Sequence, residues 1–211
     1  MPEYALQITL LSDATFGRGD GVVGLVNQEV EHDSYGLPIV HGRTLKGLLV
    51  DACSEILFGL NADDTSPLGR DAAWLFGGPG SRADDTGHVY FGSGQVEPAL
   101  GDYLRHESEY GALTKADVFD ALTTIRRQTA MNEHDIPSDG SLRAQRVVVR
   151  ETIFIAPIRF ELEPTSTHLA LLAACAAGVQ RGGSGRTRGR GRVMVTLEPS
   201  VPFEIIFQKE D

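Results

Sequence analysis

The segment Arg181-Gly-Gly-Ser-Gly-Arg-Thr-Arg-Gly-Arg-Gly-Arg192, which runs directly into Val193-Met-Val-Thr-Leu197, decides how the fold is interpreted. The residues before it, Leu169 to Val179, are rich in Ala and Leu and predict a helix, for which Ser166 can supply the N-terminal cap. Residues 193–197 predict a strand because they are mostly apolar and β-branched. A glycine-arginine segment between a helix and a core strand is expected to be an ordered loop on a rigid sheet, and not a disordered tail.

The composition of this loop suits phosphate binding. Glycines let backbone N–H groups approach phosphate oxygens closely. Arginines add a fixed positive charge, and each guanidinium can donate two parallel hydrogen bonds to one phosphate. A P-loop is excluded, because no Gly-Lys-Ser/Thr closes the segment and a strand follows it. The alternative is a merely solvated charged loop. We predict that the loop contacts an RNA backbone through four arginines, Arg181, Arg186, Arg188 and Arg190.

Four more segments complete the core pattern. Apolar spacing predicts a strand at Tyr4–Leu11, a helix at Thr44–Phe58, a strand at His88–Val96 and a long strand at Arg146–Glu163. With the C-terminal helix and strand, the order becomes strand, helix, strand, strand, helix, strand. This order predicts an α+β protein with a ferredoxin-like (RRM-like) βαββαβ core.

Less regular segments interrupt this core. Residues 15–38 are rich in glycine and predict a long loop, while short helices are expected around Ala72–Phe76 and at Lys115–Leu122. The polar segment Thr123–Leu142 predicts a protruding hairpin or loop. A chain of 211 residues, 41% of them hydrophobic, can bury one substantial core. We therefore expect a single domain over residues 1–211 with an insertion at about 123–142.

The charge distribution is more informative than the net charge of −10, which by itself argues against general affinity for nucleic acids. Residues 1–120 hold 19 acidic and 7 basic side chains, a net charge of −12. Residues 143–192 hold nine arginines and three glutamates, a net charge of +6. This asymmetry predicts a basic face on an otherwise acidic body.

The sequence predicts neither a membrane-spanning or secretory segment nor a metal site. No run of 18 apolar residues occurs, and Met1-Pro-Glu-Tyr4 lacks the basic and apolar regions of a signal peptide, so a cytosolic protein without membrane contact is expected. Cys53 and Cys175 have no C-x-x-C or Cys/His spacing around them. They are expected to be small buried residues, and no structural metal or cofactor is predicted.

A second basic segment, His41-Gly-Arg-Thr-Leu-Lys-Gly47, begins the first predicted helix. Helix N-termini present unpaired N–H groups and the positive end of the helix dipole, which suits a phosphate. Arg43, Thr44 and Lys46 are therefore predicted RNA ligands. The alternative is ordinary helix capping with a solvated basic turn.

These segments resemble motifs of a known family. Pro38-Ile-Val-His-Gly-Arg-Thr-Leu-Lys-Gly47 is similar to the P-x-x-P-G-S-S-L-K-G signature of the RAMP superfamily of CRISPR proteins. The glycine-arginine loop resembles the C-terminal glycine-rich loop of that superfamily, and Leu57-Phe-Gly59 and Leu75-Phe-Gly77 resemble its L-F-G element. The likeness extends over almost the whole chain.

The middle of the chain resembles one branch of this superfamily. Thr124–Thr129 and Leu142–Glu151 are similar to the thumb of type III backbone subunits, where an I-D-R-x-T run leads to an arginine-containing return strand. The resemblance implies binding to a CRISPR guide RNA, to target RNA, to copies of the chain itself and to other effector subunits. It implies a wedge into the duplex made by Ile125, Met131 and Ile136, unless these residues only pack against a neighbouring loop. It also implies RNA contacts from Arg126, Arg127, Arg143, Arg146 and Arg150.

The resemblance also locates a catalytic position. Active members cut target RNA with an aspartate in a run like I-D-S-P-V, and the corresponding stretch here, Leu25–Val30, has Asn27 in its place. An amide has neither the charge to hold a divalent cation nor the basicity to accept a proton. Mg²⁺ or Mn²⁺ would therefore serve only a form with aspartate at this position, and the chain is expected to bind RNA without cutting it.

Two alternatives to this silent site remain open. His32 and Asp33, like Glu29 and Glu31, lie close to Asn27 in sequence and could substitute for the missing carboxylate. The other alternative is a guide-RNA-processing endoribonuclease of the same superfamily, with a histidine such as His32 or His41 as general acid or base.

Overall fold

The computed structural model describes residues 4–17, 19–22, 24–78, 86–129 and 143–207. Its strands are β1 (Tyr4–Leu10), β2 (Ile39–Val40), β3 (Val89–Phe91), β4 (Gly94–Val96), β5 (Thr123–Gln128), β6 (Arg143–Val148), β7 (Ile153–Phe160) and β8 (Val193–Glu198). Its helices are α1 (Gly42–Gly59), α2 (Pro67–Phe76), α3 (Pro98–Glu109), α4 (Lys115–Leu122) and α5 (Ser166–Gly178).

The larger sheet is antiparallel and has β1 near its centre. Its strand order is β2-β4-β7-β1-β8, and β3 also pairs with β7. In β1 the side chains of Leu6, Ile8 and Leu10 are buried and alternate with half-buried polar ones, as expected for a strand with one covered face. Helices α1 and α5 pack against each other, and α5 also packs on β8. The α+β class expected from the sequence is confirmed.

Helix α5 is the most deeply buried helix. Its apolar residues are buried on almost every side, because the helix contacts α1, α2 and β8 together. The expected cap, Ser166, is wrong: Ser166 is the first helical residue, and Thr165 caps the helix by accepting the N–H of His168 at 3.2 Å. The predicted buried state of Cys175 in α5, and of Cys53 in α1, is confirmed. A hydrogen bond with Cys53, together with burial, raises the pKa of the Cys175 thiol well above its ordinary value.

Two predicted strands are each divided in the structure. The segment Arg146–Glu163 breaks into β6 and β7 at residues 149–152, where Glu151 adopts a left-handed conformation with φ +69°. β6 pairs with β5 in a separate sheet of two strands, while β7 pairs with β1. The segment His88–Val96 is interrupted at Gly92, where the backbone lies so close to Pro157 that a Cβ would not fit without a shift.

Other element boundaries also differ from the predictions. Helix α2 begins at Pro67, in a segment that reads as a polar loop, because Ser66 caps it by accepting the Gly69 N–H at 3.0 Å. Helix α3 lies in a region without a clear sequence pattern, since its only buried residue is Gly101. Residues 15–38 contain isolated bridges and turns, as the prediction of a long loop requires.

The buried histidine in the capping turn of α5 makes stability depend on pH. The Nδ1 atom of His168 accepts the Thr165 N–H at 3.2 Å, and its Nε2 atom lies 3.1 Å from Asp71 Oδ1. The ring stacks on Trp74 with centroids 3.8 Å apart. Burial lowers the pKa of His168, although the Asp71 carboxylate partly opposes this effect.

We expect the free energy of unfolding to fall as the pH drops below about 6.5, the ordinary histidine pKa. Below that pH His168 becomes protonated in the unfolded chain but stays neutral in the folded protein, so protons favour unfolding. The free energy of unfolding therefore keeps falling until the pH reaches the lower pKa of the folded state. Urea unfolding above and below this pH measures the effect. In His168→Gln the amide oxygen can still cap the turn, so this variant should show a flatter pH profile. An unchanged profile would show that His168 is not responsible.

Candidate nucleic-acid interface

The glycine-arginine loop is an ordered part of the structure, as predicted. Its two ends are joined by a hydrogen bond from the Gly182 N–H to the Gly191 carbonyl at 2.8 Å. The Ser184 N–H donates to the Thr15 carbonyl at 2.9 Å, which attaches the loop to the segment that follows β1. Gly183 has φ +76°, and a Cβ there would overlap the Thr15 carbonyl oxygen. The backbone approach at this point therefore requires glycine.

The loop and the first turn of α1 face each other across a groove. This arginine groove, as we call it, has a volume of about 320 Å³. It brings together two predicted ligands that are far apart in sequence, Arg43 on α1 and Arg186 on the loop, and both are exposed. Its polar lining residues are Thr15, His41, Arg43, Thr44, Asp51, Ser184 and Arg186.

The N-terminus of α1 supports an anion site more than ordinary capping. His41 occupies the cap position, but its side chain makes no capping hydrogen bond, and no acidic residue lies in the first turn. The His41 ring lies 3.5 Å from Glu31 instead. Thr44 lines the groove as predicted, whereas Lys46 is half-buried and is not among the lining residues. Thr15 and Asp51 were not predicted, since no motif marks them, and Ser184 lies in the glycine-arginine loop but was not among the predicted ligands.

The other loop arginines differ in what they contact. Arg188 is exposed, and within the described residues its side chain has no hydrogen-bond or ion-pair partner. Arg181 donates to the Arg186 carbonyl at 2.6 Å, which supports the short turn at 186–188. Arg190 donates to Gln145 at 3.1 Å and to Gln128 at 2.7 Å, so it connects the loop to β5 and β6. Of the four predicted loop arginines, Arg186 and Arg188 are therefore the ones whose side chains are available to a ligand.

Within the predicted insertion at about 123–142 the structure describes residues 123–129, which contain β5, and β6 begins directly after the insertion. Their register places Gln128 opposite Arg143 and Arg126 opposite Gln145. Arg127 and Arg143 are exposed, and Arg126 pairs with Asp13 at 2.7 Å while remaining 55% exposed. Arg150 is exposed and weakly paired with Glu151, 3.7 Å away. Ile125 is half-buried, and Met131 and Ile136 lie outside the described residues.

Arg146, another predicted RNA ligand, is held inside the protein. Its side chain is 10% exposed, and its Nε atom lies 3.0 Å from Oε1 of the buried Glu29. Its NH1 atom lies 3.3 Å from Asp120, and its guanidinium covers the Phe119 ring at 4.7 Å. Because its charge is paired inside the protein, Arg146 is less available to a ligand than the exposed arginines, and its RNA contact stays a prediction.

Asn27 lies in a second groove, beside β6. Its N–H donates to the Ala144 carbonyl at 2.7 Å, and its side-chain Oδ1 accepts the Ala144 N–H at 2.9 Å. This Asn27 groove has a volume of about 720 Å³ and is also lined by Arg127 and the exposed Leu25. Because Oδ1 already accepts the Ala144 N–H, the amide NH₂ is the group of the Asn27 side chain that remains for a ligand in this groove.

The residues around Asn27 do not fit a divalent cation. A hard cation requires several anionic or neutral oxygen ligands, and this groove offers one occupied amide oxygen beside the Arg127 guanidinium. Glu29 is paired with Arg146. Among the residues that the structure describes, no group of three or more His, Cys, Asp or Glu side chains could hold a metal ion.

The proposed substitutes for the missing carboxylate have structural roles instead. Asp33 Oδ1 accepts the N–H groups of Tyr35 and Leu37, each at 2.9 Å, and its Oδ2 lies 3.7 Å from Arg105. His32 holds the Asp33 carbonyl with Nδ1 at 2.9 Å and packs against the Phe119 ring. Neither side chain lines the Asn27 groove. The structure therefore does not bring His32 and Asp33 together with Asn27.

The fold and the two grooves define an α+β protein with an arginine- and glycine-lined surface suited to a nucleic-acid backbone. A family model of the RAMP superfamily matches residues 7–194. The chain belongs to the RAMP superfamily, as its motifs indicate.

The fold is also found in solved structures. A chain in the cryo-EM structure of type III-B Cmr-beta bound to cognate target RNA superposes with a TM-score of 0.65 at 12% identity, over 92% of this chain and 96% of that one. A chain in the apo state of type III-B Cmr-beta gives a TM-score of 0.62 at 13% identity, with the same coverage. Among curated proteins, none is significantly similar in sequence. No helix in the described parts of the chain has the length and apolar character to cross a membrane.

Proposed function

We propose that this protein is a guide-RNA-binding backbone subunit of a type III CRISPR ribonucleoprotein, which positions target RNA but does not cut it. The observation that carries this proposal is the arginine groove, where Arg43 and Arg186 converge on the N-terminus of α1 and a glycine-rich backbone. Membership of the RAMP superfamily and the likeness to chains of type III-B Cmr-beta support it. Its partners would be guide RNA, target RNA, copies of the same chain and other effector subunits.

The proposal includes a finer assignment of the fold. We assign one RAMP domain over residues 1–211 with a ferredoxin-like core, supported by the order β8-β1-β7-β4 and by the packing of α1 against α5. The thumb-like insertion would comprise β5, β6 and the residues between them. Its exposed Arg127 and Arg143 would contact RNA, together with Arg126 and Arg150 at the base.

In this proposal the grooves hold the sugar-phosphate backbone. The guanidinium groups of Arg43, Arg186 and Arg188 carry fixed positive charge and can each present two donors to a phosphate. Hydroxyl groups of Thr15, Thr44 and Ser184 are further polar contacts in the arginine groove. Such contacts fix position and carry little sequence information, so guides of different sequence should bind alike.

The absence of cutting rests on Asn27. The amide of Asn27 cannot take up a proton from a ribose hydroxyl near neutral pH, and its oxygen is already engaged by Ala144. The carboxylate of Glu29 is paired with Arg146, and that of Asp33 accepts the Tyr35 N–H, so neither takes the place of an aspartate at position 27. Mg²⁺ or Mn²⁺ would be required only by a form of the protein with aspartate at position 27.

The double variant Arg43→Ala/Arg186→Ala should bind single-stranded RNA at least about a hundredfold more weakly, because two charged hydrogen bonds worth roughly 1.5–3 kcal/mol each are lost. The slope of log affinity against log salt should become shallower by about 1.4, since two phosphate contacts are lost. Fluorescence anisotropy at several salt concentrations measures both quantities. Arg70→Ala/Arg159→Ala is the matched control, because these two exposed arginines lie outside the arginine groove. Equal losses in both variants would contradict a specific groove.

A second function is favoured by one observation, the pairing of His41 and Glu31 at 3.5 Å beside the arginine groove. A histidine oriented by a carboxylate is a common general base, which would suit a guide-RNA-processing endoribonuclease. Purified protein incubated with labelled repeat RNA in the presence of a chelator should give one discrete cut under this function, and none after His41→Ala. RNA that stays whole supports the binding function instead.

A further inference from the structure

One acidic side chain lies in the arginine groove. Asp51 follows Arg43 by about two turns of α1 and is the only carboxylate among the described residues that line this groove. A third groove, of about 310 Å³, lies between α1 and the segment after α5, and we call it the helix groove. The two grooves share Leu48, Asp51 and Arg186, so they form one continuous channel with Asp51 at the junction.

The Asp51 carboxylate is available to a ligand. It is exposed, and within the described residues it has no hydrogen-bond or ion-pair partner. Glu55, which lines the helix groove, is also exposed and without such a partner among the described residues, whereas Glu29 and Asp33 lie outside the channel and are held by an arginine or by backbone N–H groups. An ionised carboxylate only accepts hydrogen bonds, so Asp51 requires a donor from whatever enters the channel.

The backbone of a nucleic acid offers one kind of donor. Phosphates are acceptors and would be repelled by Asp51, since like charges at close range destabilise each other. The ribose 2′-hydroxyl can donate, and it is the group that distinguishes RNA from DNA. A carboxylate among cations is therefore badly placed for phosphate but well placed for the sugar between two phosphates.

We propose that Asp51 accepts a hydrogen bond from a ribose 2′-hydroxyl and makes the channel select RNA over DNA. This inference rests on the proposed function, because it takes the arginine groove as the site of the RNA backbone. It assigns Asp51 a specificity role, whereas Arg43 and Arg186 supply affinity for both polymers. Amino groups on bases are the other possible donors, and they predict a preference that changes with sequence.

The test compares RNA, DNA and 2′-O-methyl RNA of one mixed sequence, each bound to the full chain and followed by fluorescence anisotropy. The unchanged protein should bind RNA roughly tenfold tighter than the other two strands, because they lack the 2′-hydroxyl donor. A tenfold difference in Kd corresponds to about 1.4 kcal/mol of binding free energy. Asp51→Ala should bind all three strands within about a factor of two of one another. Its affinity for DNA should be equal or higher, because a repelling charge has been removed.

The controls separate this inference from the proposed function. Glu163→Ala also removes one exposed negative charge but lies outside the channel, so it should keep the preference for RNA. Equal affinity of the unchanged protein for RNA and DNA, or a preference that survives Asp51→Ala, overturns the role of Asp51 alone. A preference seen with one base composition and not with another also overturns it, in favour of base contacts. Failure to bind any strand overturns the proposed function and this inference together.

Discussion

Replacing Glu29 with alanine should lower the free energy of unfolding by about 3–5 kcal/mol, the range for breaking a buried ion pair from one side. Arg146 Nε lies 3.0 Å from Glu29 Oε1, and both side chains are almost fully buried. Without Glu29, the remaining carboxylate partner of Arg146 among the described residues is Asp120, which is 3.3 Å away and 72% exposed. Urea unfolding of the purified chain measures the change.

The position of this pair explains why the effect should be large. The Arg146 N–H donates to the Gln28 carbonyl at 3.0 Å, and its carbonyl accepts the Thr15 hydroxyl at 2.9 Å. Loss of the pair leaves a buried guanidinium at the point where β6, α4 and the loop carrying Asn27 meet. The loop should therefore lose its fixed position when the ion pair is broken.

A double-mutant cycle tests the assignment. Glu29→Met/Arg146→Met should be much less destabilised than the sum of its single variants, because a buried apolar pair carries no unpaired charge. Glu161→Ala serves as the control, since its side chain is exposed, and it should change stability by no more than about 0.5 kcal/mol. If Glu29→Ala costs less than about 1 kcal/mol, the pair is not important for stability. RNA affinity should survive in the folded double variant, because the Arg146 side chain is only 10% exposed and is already paired with Glu29.

The regular core could be predicted from the sequence where burial imposes a clear period. Strand β1 and helices α1 and α5 have continuous apolar patterns, and the structure has them within two or three residues of the predicted bounds. The long strand at Arg146–Glu163 was wrong because β-branched residues lie on both sides of the break, while the turn depends on tertiary contacts. One of these is the hydrogen bond from the Glu151 N–H to the Leu10 carbonyl at 2.7 Å.

The candidate site could be predicted only where a motif marks it. Glycine and arginine identified the loop, and the basic segment at 41–47 identified the start of α1. Their approach to each other and to Thr15 depends on the tertiary fold, which these motifs do not encode. Sequence also cannot separate an exposed arginine from a buried one. Arg146 and Arg143 lie on the same strand, yet the first is paired with Glu29 and the second is exposed.

Complexes assembled with Asn27→Asp should cut bound target RNA at regularly spaced positions in the presence of Mg²⁺ or Mn²⁺, while the unchanged chain should bind the same target and leave it whole. The substitution keeps the size and shape of the side chain. One carboxylate oxygen can accept the Ala144 N–H as Oδ1 does now, at 2.9 Å, so the loop should keep its position. The second oxygen then replaces the amide NH₂ and brings a negative charge into the Asn27 groove.

This exchange changes what the site can do. The NH₂ group only donates, whereas a carboxylate oxygen accepts protons and is the kind of ligand that hard cations prefer. The neighbouring Arg127 would stabilise the ionised form of the carboxyl group and keep it available as a base.

The measurement is gel analysis of labelled target RNA with assembled complexes, because under the proposed function neighbouring copies present the target. Asn27→Ala is the matched control, since it removes the amide without adding a carboxylate, and it should remain inactive. The Asn27→Asp complex should also lose its cutting activity when a chelator is added. Regular cutting by the unchanged chain would contradict a silent site, and an inactive Asn27→Asp complex that still binds its target would show that Asn27 does not occupy the position of the catalytic aspartate. The second result would not affect the arginine groove, because Asn27 does not line that groove and Arg43 does not line the Asn27 groove.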